Sequence, residues 1–265
     1  MDRILKLLEQ PPTGALAWAI AALGAAVFMV IVVRKRALTL GGAFAAAVLG
    51  LVVLFIAGPL WLLPLFFFFG SSTALGRLFS RTIAAHDDAK EGRPRDAVQV
   101  FCNGGPYGLL VLGLAWNVTS IHSLLLLSMA IATADTWSST LGAAMAGPTW
   151  NIRTGKRITP GPSGGVSIAG SGAGLCGAAA IAALGFWLVP GLQMRTALLL
   201  TCAGWSGMFV DSLLGAWLQA RYWTSSGTEG DTGNTLVGGF RWMTNDVVNL
   251  LSNVLVLVVW YLIQG

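Results

Sequence analysis

The sequence predicts an all-α polytopic membrane protein with about eight transmembrane helices. Three observations carry that prediction. Of the 265 residues, 55% are hydrophobic and only 10% charged, where a soluble domain usually carries about 25% charge. Apolar runs recur at the roughly 20-residue length that a membrane-spanning helix needs. The 34 glycines suit helices that approach closely in lipid, where small residues line the contacts. A membrane β-barrel would show short alternating segments instead. The chain reads as a single transmembrane domain over 1–265.

Residues 1–12 are a short polar start ended by Pro11-Pro12, without the small-residue cleavage pattern of a signal peptide. Spans follow at about 14–33, 39–57, 60–80, 96–115, 121–146, 164–189, 195–220 and 245–263. The breaks between them are polar or hold Gly and Pro. They include Arg34-Lys35-Arg36, Gly58-Pro59, the loop 81–95, the turn Asn117–Ser120, the loop PTWNIRTGKRITPGP, Pro190-Gly191 and the loop 221–244. Cys102, Cys176 and Cys202 lack metal-ligand spacing and read as small buried hydrophobes.

Charge orients the spans. In an eight-span topology, four loops on one side hold 13 of the 16 Lys and Arg residues, leaving Arg3, Lys6 and Arg195 for the other. Cationic loops mark the cytoplasmic side. Both termini are then expected outside. The net charge of +5 is a topology signal and needs no nucleic-acid partner.

The carboxylates point to a site. Asp2 and Glu9 lie in the N-terminal segment, and Asp87, Asp88, Glu91, Glu229 and Asp231 read as solvated loop charges. Four remain. Asp135 and Asp211 fall deep in spans five and seven, in the cytoplasmic third. Asp96 and Asp246 begin spans four and eight, where a plain helix cap is an equal alternative. An unpaired charge at membrane depth costs roughly 2.5–3.5 kcal/mol, so a cation, metal or proton must offset it. Around Asp211, Gly207, Gly215 and Gln219 recur every four residues and share its face. That face also reads as a small-residue packing seam.

Phosphate-binding features lie close by. Gly161-Pro162-Ser163-Gly164-Gly165 precedes the sixth span. Glycines permit close backbone approach, and a helix N-terminus offers free N–H groups. Lys156 and Arg157, just upstream, are charge partners for phosphate. No GK[ST] follows, so this is not a Walker loop. A simple turn is the alternative. Asn103 and Asn249 lie inside spans, where amides usually hydrogen-bond. His86 is in a loop and His122 lies on the outer side. Without a His, Cys or Lys nucleophile, the residues suit metal-assisted transfer of a phosphorus group, which needs positioning and charge neutralisation.

Five motifs carry a family resemblance: RDAVQVFCNGG (Arg95–Gly105), ADTWSSTLG (Ala134–Gly142), GPSGGVSIAG (Gly161–Gly170), DSLLGAWLQ (Asp211–Gln219) and NDVVNLLSN (Asn245–Asn253). In this order they resemble the integral membrane family that contains plastid phytyl-phosphate kinase and transmembrane protein 19. That family is distantly similar to dolichol kinase and the CDP-diacylglycerol synthases. The resemblance spans about residues 38–258.

It implies transfer of a phosphoryl group from a nucleoside triphosphate, CTP foremost, to an isoprenoid monophosphate at the cytoplasmic face, with Mg²⁺. By the same resemblance Asp135 and Asp211 are metal ligands, with Asp96 and Asp246 as further candidates. Lys156 and Arg157 neutralise charge, and Gly164, Gly165 and Ser167 cradle phosphates. Arg95, Asp96, Gln99 and Asn103 match the family's first polar motif and are expected to bind the acceptor phosphate or a second metal. Ser139, Thr140, Gln219, Asn245, Asp246 and Asn249 complete the substrate set. The family usually carries glutamate where Thr140 stands, and threonine supplies an oxygen but no base. The lipid tail is expected among apolar spans, against Phe66–Phe69 and Trp61. A homodimer is compatible with this reading. The rivals are a lipid-alcohol kinase, a cytidylyltransferase and a lipid-phosphate transporter. The last would show polar residues across the whole membrane, and the outer halves are nearly free of charge.

Overall fold

The structure is a computed structural model that describes residues 10–80, 93–114, 120–145, 147–223, 229–230, 233 and 235–264. Asp2, Glu9, Asp87, Asp88, Glu91 and Asp231 lie outside the described residues, and so does the side chain of Glu229.

Eight long helices follow the apolar runs. They are α1 (Ala15–Arg34), α2 (Leu40–Ala57), α3 (Leu62–Leu78), α4 (Ala97–Gly113), α5 (Ile121–Ala144), α6 (Ile168–Leu188), α7 (Met194–Leu218) and α8 (Asn245–Gln264). A single 3₁₀ turn, Pro59–Trp61, leads into α3. Each helix matches one expected span to within four residues. Among the described residues, seven are long and apolar enough to cross a membrane. The exception is α4, whose 17 residues include Pro106. The chain is therefore a helical, multi-pass integral membrane protein.

The core sits around α5. Fifteen of its 24 residues are buried, including the run Leu124 to Ala134. A helix apolar on every side belongs inside a bundle or in lipid. On α6, glycines let it lie directly on α5: a Cβ at Gly170 would come within 2.8 Å of the Ser138 carbonyl oxygen, and one at Gly174 within 3.0 Å of that of Ala134. Side-chain hydrogen bonds tie other pairs. Asn253 Nδ2 of α8 donates to Ser128 O of α5 at 3.0 Å, and Trp205 Nε1 of α7 donates to Ser171 O of α6 at 2.8 Å. Such bonds in membrane proteins average about 0.6 kcal/mol each. The contrast is α1, where Val32 is the buried residue and the remaining faces are apolar and exposed, as a lipid-facing helix requires.

Two small antiparallel sheets, not anticipated in an all-α reading, lie at one end of the bundle. Strands β1 (Thr149–Asn151), β2 (Arg157–Ile158) and β3 (Gly165–Ser167) join in the order β2-β1-β3. Strands β4 (Arg221–Trp223), β5 (Glu229–Gly230) and β6 (Thr235–Gly238) join in the order β5-β4-β6. They give the backbone groups of two polar connections a partner outside the helices. At the same end, Thr39 N donates to Arg95 O at 3.0 Å and Arg95 N donates to Ala37 O at 3.1 Å. Arg77 Nη2 donates to Lys35 O. The loop between α1 and α2 is thereby fastened to α3 and to the head of α4.

Candidate functional site

A polar cavity of about 260 Å³ opens at this end of the bundle. Its walls are the heads of α4, α6 and α8, the C-terminal turns of α3, α5 and α7, and the turn before β3. Alternating helix direction brings these ends together, which is why residues far apart in sequence converge.

The two buried-helix aspartates face it together. Asp135 lines the cavity from α5 with Ser138, Ser139 and Gly142, the i+3, i+4 and i+7 positions of one helical face. Asp211 enters from α7 and is 9% exposed. Ser252 Oγ of α8 donates to Asp211 Oδ1 at 3.2 Å. The Asn249 amide nitrogen donates either to Asp211 Oδ1 at 3.0 Å or, with the amide turned over, to Asn103 Oδ1 at 3.4 Å. Hydrogen bonding favours its nitrogen facing Asp211 and the Asn245 carbonyl. Asn249 and Ser252 thus tie α8 to Asp211 of α7 beside the cavity.

Thirteen of the residues singled out in the sequence line this cavity. They are Arg95, Gln99, Asn103, Asp135, Ser139, Thr140, Gly164, Gly165, Ser167, Asp211, Asn245, Asp246 and Asn249. Four do not, and each has a physical reason. Asp96 is the N-cap of α4: its Oδ1 accepts from Gln99 N at 3.0 Å, and Gln99 Oε1 accepts from Asp96 N at 3.1 Å. This is a capping box, the alternative weighed for that residue. Lys156 and Arg157 are exposed on the β1–β2 hairpin, with the Arg157 guanidinium 5.9 Å from the Trp150 ring centre. The cations that line the cavity are instead Arg93 and Arg95. Gln219 is buried just past the end of α7, where its Oε1 accepts from Ser163 Oγ at 2.9 Å. It clamps the glycine turn from behind.

The turn itself departs from the expected cradle in one respect. It does not abut the helix, because β3 intervenes before α6 begins at Ile168. Gly165 N is already donated to Pro162 O at 3.2 Å, and Ser167 Oγ caps α6 by accepting from Gly170 N at 3.0 Å. Gly164 has φ +85°, and a Cβ there would lie 2.6 Å from the Ala216 Cβ of α7. Glycine is required by conformation and by contact. Ser163, Ser138, Ser212 and Arg93 also line the cavity without having been assigned roles from sequence. Their signal was adjacency to motifs already noted.

Among the described residues no three His, Cys, Asp or Glu side chains form a metal-holding group. The four aspartates therefore do not make one carboxylate cage. Asp135, Asp211 and Asp246 line one cavity, and Asp96 stands outside it.

A polar cavity walled by aspartates and arginines, at one end of an apolar helical bundle, defines a multi-pass membrane protein with a polar site at that end. The chain belongs to the integral membrane protein family DUF92, whose model matches residues 23–257. This agrees with the family resemblance carried by the five motifs. Over 201 residues it is 29% identical to an uncharacterized membrane protein of Methanocaldococcus jannaschii, covering 74% of this chain and 80% of the relative. Over 251 residues it is 28% identical to Protein PGR of Arabidopsis thaliana, covering 83% of this chain and 86% of the relative. No solved structure matches.

Proposed function

We propose that the protein is a phosphotransferase that uses a nucleoside triphosphate, CTP foremost, to convert an isoprenoid monophosphate into its diphosphate. The observation that carries this reading is the single cavity shared by Asp135, Asp211, Arg93, Arg95 and the Gly161–Gly165 turn. Paired carboxylates, cations and a glycine turn are what binding two phosphorylated substrates requires.

Asp135 and Asp211 are the residues that would hold Mg²⁺. The fit is chemical: the cavity offers oxygen donors, two carboxylates and the hydroxyls of Ser138, Ser139 and Thr140. Mg²⁺ is usually held by one or two carboxylates together with substrate phosphates, not by an all-protein cage. When bound, it neutralises phosphate charge. Arg95 and Asn103 hold the acceptor phosphate, and Arg93 adds a second cation at the rim. An acceptor oxygen forms a bond to the γ-phosphorus as the bond from that phosphorus to the nucleoside diphosphate breaks. The attacking oxygen belongs to a phosphomonoester that is largely ionised at pH 7. No protein base is needed, which makes threonine at position 140 compatible with the chemistry.

The orientation follows from charge. Among the described residues eleven Lys and Arg side chains lie at the cavity end, and Arg195 lies at the other. The cavity then faces the cytoplasm, and both termini lie outside.

The test is to incubate the purified protein with phytyl or geranylgeranyl monophosphate and each of CTP, UTP and ATP, with and without Mg²⁺, and to read product mass. The expected product is the isoprenyl diphosphate, dependent on CTP and Mg²⁺. A monophosphate made from the free alcohol would instead identify an alcohol kinase, and a CDP-lipid a cytidylyltransferase. No product of any kind, with lipid monophosphate crossing sealed vesicles, would identify a transporter.

A further inference from the structure

A second cavity, apolar and about 320 Å³, lies between α1, α2, α3 and α4. Three residues line both cavities: Arg95, Gln99 and Asn103. Arg95 is fixed at this junction. Its backbone is bonded to Ala37 and Thr39, and its guanidinium carbon lies 5.7 Å from the Phe68 ring centre. Away from the junction the slot follows α2 from Ala46 to Leu54, about 12 Å at 1.5 Å per residue. Phe66 and Phe69 of α3 and Phe28 of α1 form its sides. Two residues named from sequence turn elsewhere. Phe67 lies 6.1 Å from the Trp137 ring, and Trp61 stacks at 5.1 Å on His122.

We propose that this slot holds the hydrocarbon tail of the lipid monophosphate acceptor, with its phosphate at Arg95 in the polar cavity. The argument is continuity and charge. One cation marks the point where an apolar slot meets a polar pocket, which is the place an amphiphile with an anionic head would bridge. A dry apolar cavity takes apolar ligands readily. The side formed by α1 is also the weakest part of the bundle, since that helix buries only Val32. It is the natural lateral entry for a chain arriving from the bilayer. The identity of the head group rests on the phosphotransferase reading above; the slot itself does not.

Gly24 of α1 lines the slot, and a Cβ there meets nothing within 4 Å. Gly24→Ala therefore adds a methyl without a clash, and Gly24→Phe extends a ring from the same lining position. With geranylgeranyl and geranyl monophosphate as acceptors, Gly24→Phe is expected to lower the long-to-short ratio of kcat/KM by roughly tenfold. The KM for CTP should stay constant. An unchanged ratio would overturn the proposal.

A second measurement is independent of turnover. Full-length protein in lipid nanodiscs is photolabelled with an isoprenyl monophosphate carrying a diazirine at its tail, and the labelled peptides are mapped. Labelling of α1, α2 and α3 that unlabelled isoprenyl monophosphate competes away is the expected result. Labelling elsewhere would sink the slot assignment. Competition by phosphatidylcholine alone would mean that the slot holds a bulk lipid chain, which also overturns it. If the wild type makes no diphosphate but this labelling holds, the reaction fails and the slot stands.

Discussion

Arg93 and Arg95 precede α4, and Lys156 and Arg157 follow α5 on the β1–β2 hairpin. Both pairs border polar motifs, yet they reach different surroundings. The Arg95 backbone is pinned on both sides by the α1–α2 loop, and its side chain lies on Phe68 facing both cavities. The hairpin is built by Asn151, whose Oδ1 accepts from Arg153 N at 3.0 Å and Thr154 N at 3.1 Å. Gly155, at φ +65°, completes the turn. That local chemistry sends Lys156 and Arg157 into solvent. The difference teaches that distance along the chain from a glycine turn says little about which cation reaches it. Tertiary fastening decides.

The largest effect that sharpens this comparison is at Arg95. Arg95→Gln should lower kcat/KM for the lipid monophosphate by about 100-fold, since a charge-assisted bond contributes up to about 3 kcal/mol. Product formation over a range of acceptor concentrations measures it. Next comes the turn that the hairpin flanks. Gly164→Ala forces a Cβ against Ala216 at a positive φ and should destabilise by roughly 2–4 kcal/mol. Gly155→Ala meets no neighbour within 4 Å and should cost about 1–2 kcal/mol. Thermal unfolding in detergent ranks the two, and equal shifts would break the comparison. Asp96→Ala should cost about 1 kcal/mol by removing the α4 cap, with turnover per folded molecule nearly kept. Smallest of all, the paired substitutions Lys156→Gln and Arg157→Gln should change kcat/KM by about twofold or less, as exposed charges do. A large loss there would restore the catalytic role read from sequence.

The fold was mostly legible because apolar runs in a membrane protein leave little freedom: the backbone must be helical wherever lipid surrounds it. Asp135 and Asp211 stood out for the same reason, as charges inside apolar helices, and so did Asn103 and Asn249. The two sheets were not legible. Strands of two to four residues are too short to show a period. Gln219 keeps the helical face that its spacing implied, with its Oε1 3.5 Å from where a Gly215 Cβ would lie. As the C-cap of α7 it accepts from Ser163 Oγ and does not line the cavity. Asp96 was readable either way, and the Asp-x-x-Gln spacing favoured the capping box. Arg93 belongs to the polar run Arg93–Val100 at the head of α4, which stood out in the sequence, but no role followed for it from the residues alone.

The central claim is that Asp135 and Asp211 act as one unit at a single site. The measurement that tests it most directly is a double-mutant cycle on diphosphate formation, with folding checked for each variant. Asp135→Asn and Asp211→Asn should each lower turnover by at least about 100-fold, and the double variant should be no slower than the worse single one. Independent, multiplying losses, or full activity in either single variant, would contradict it.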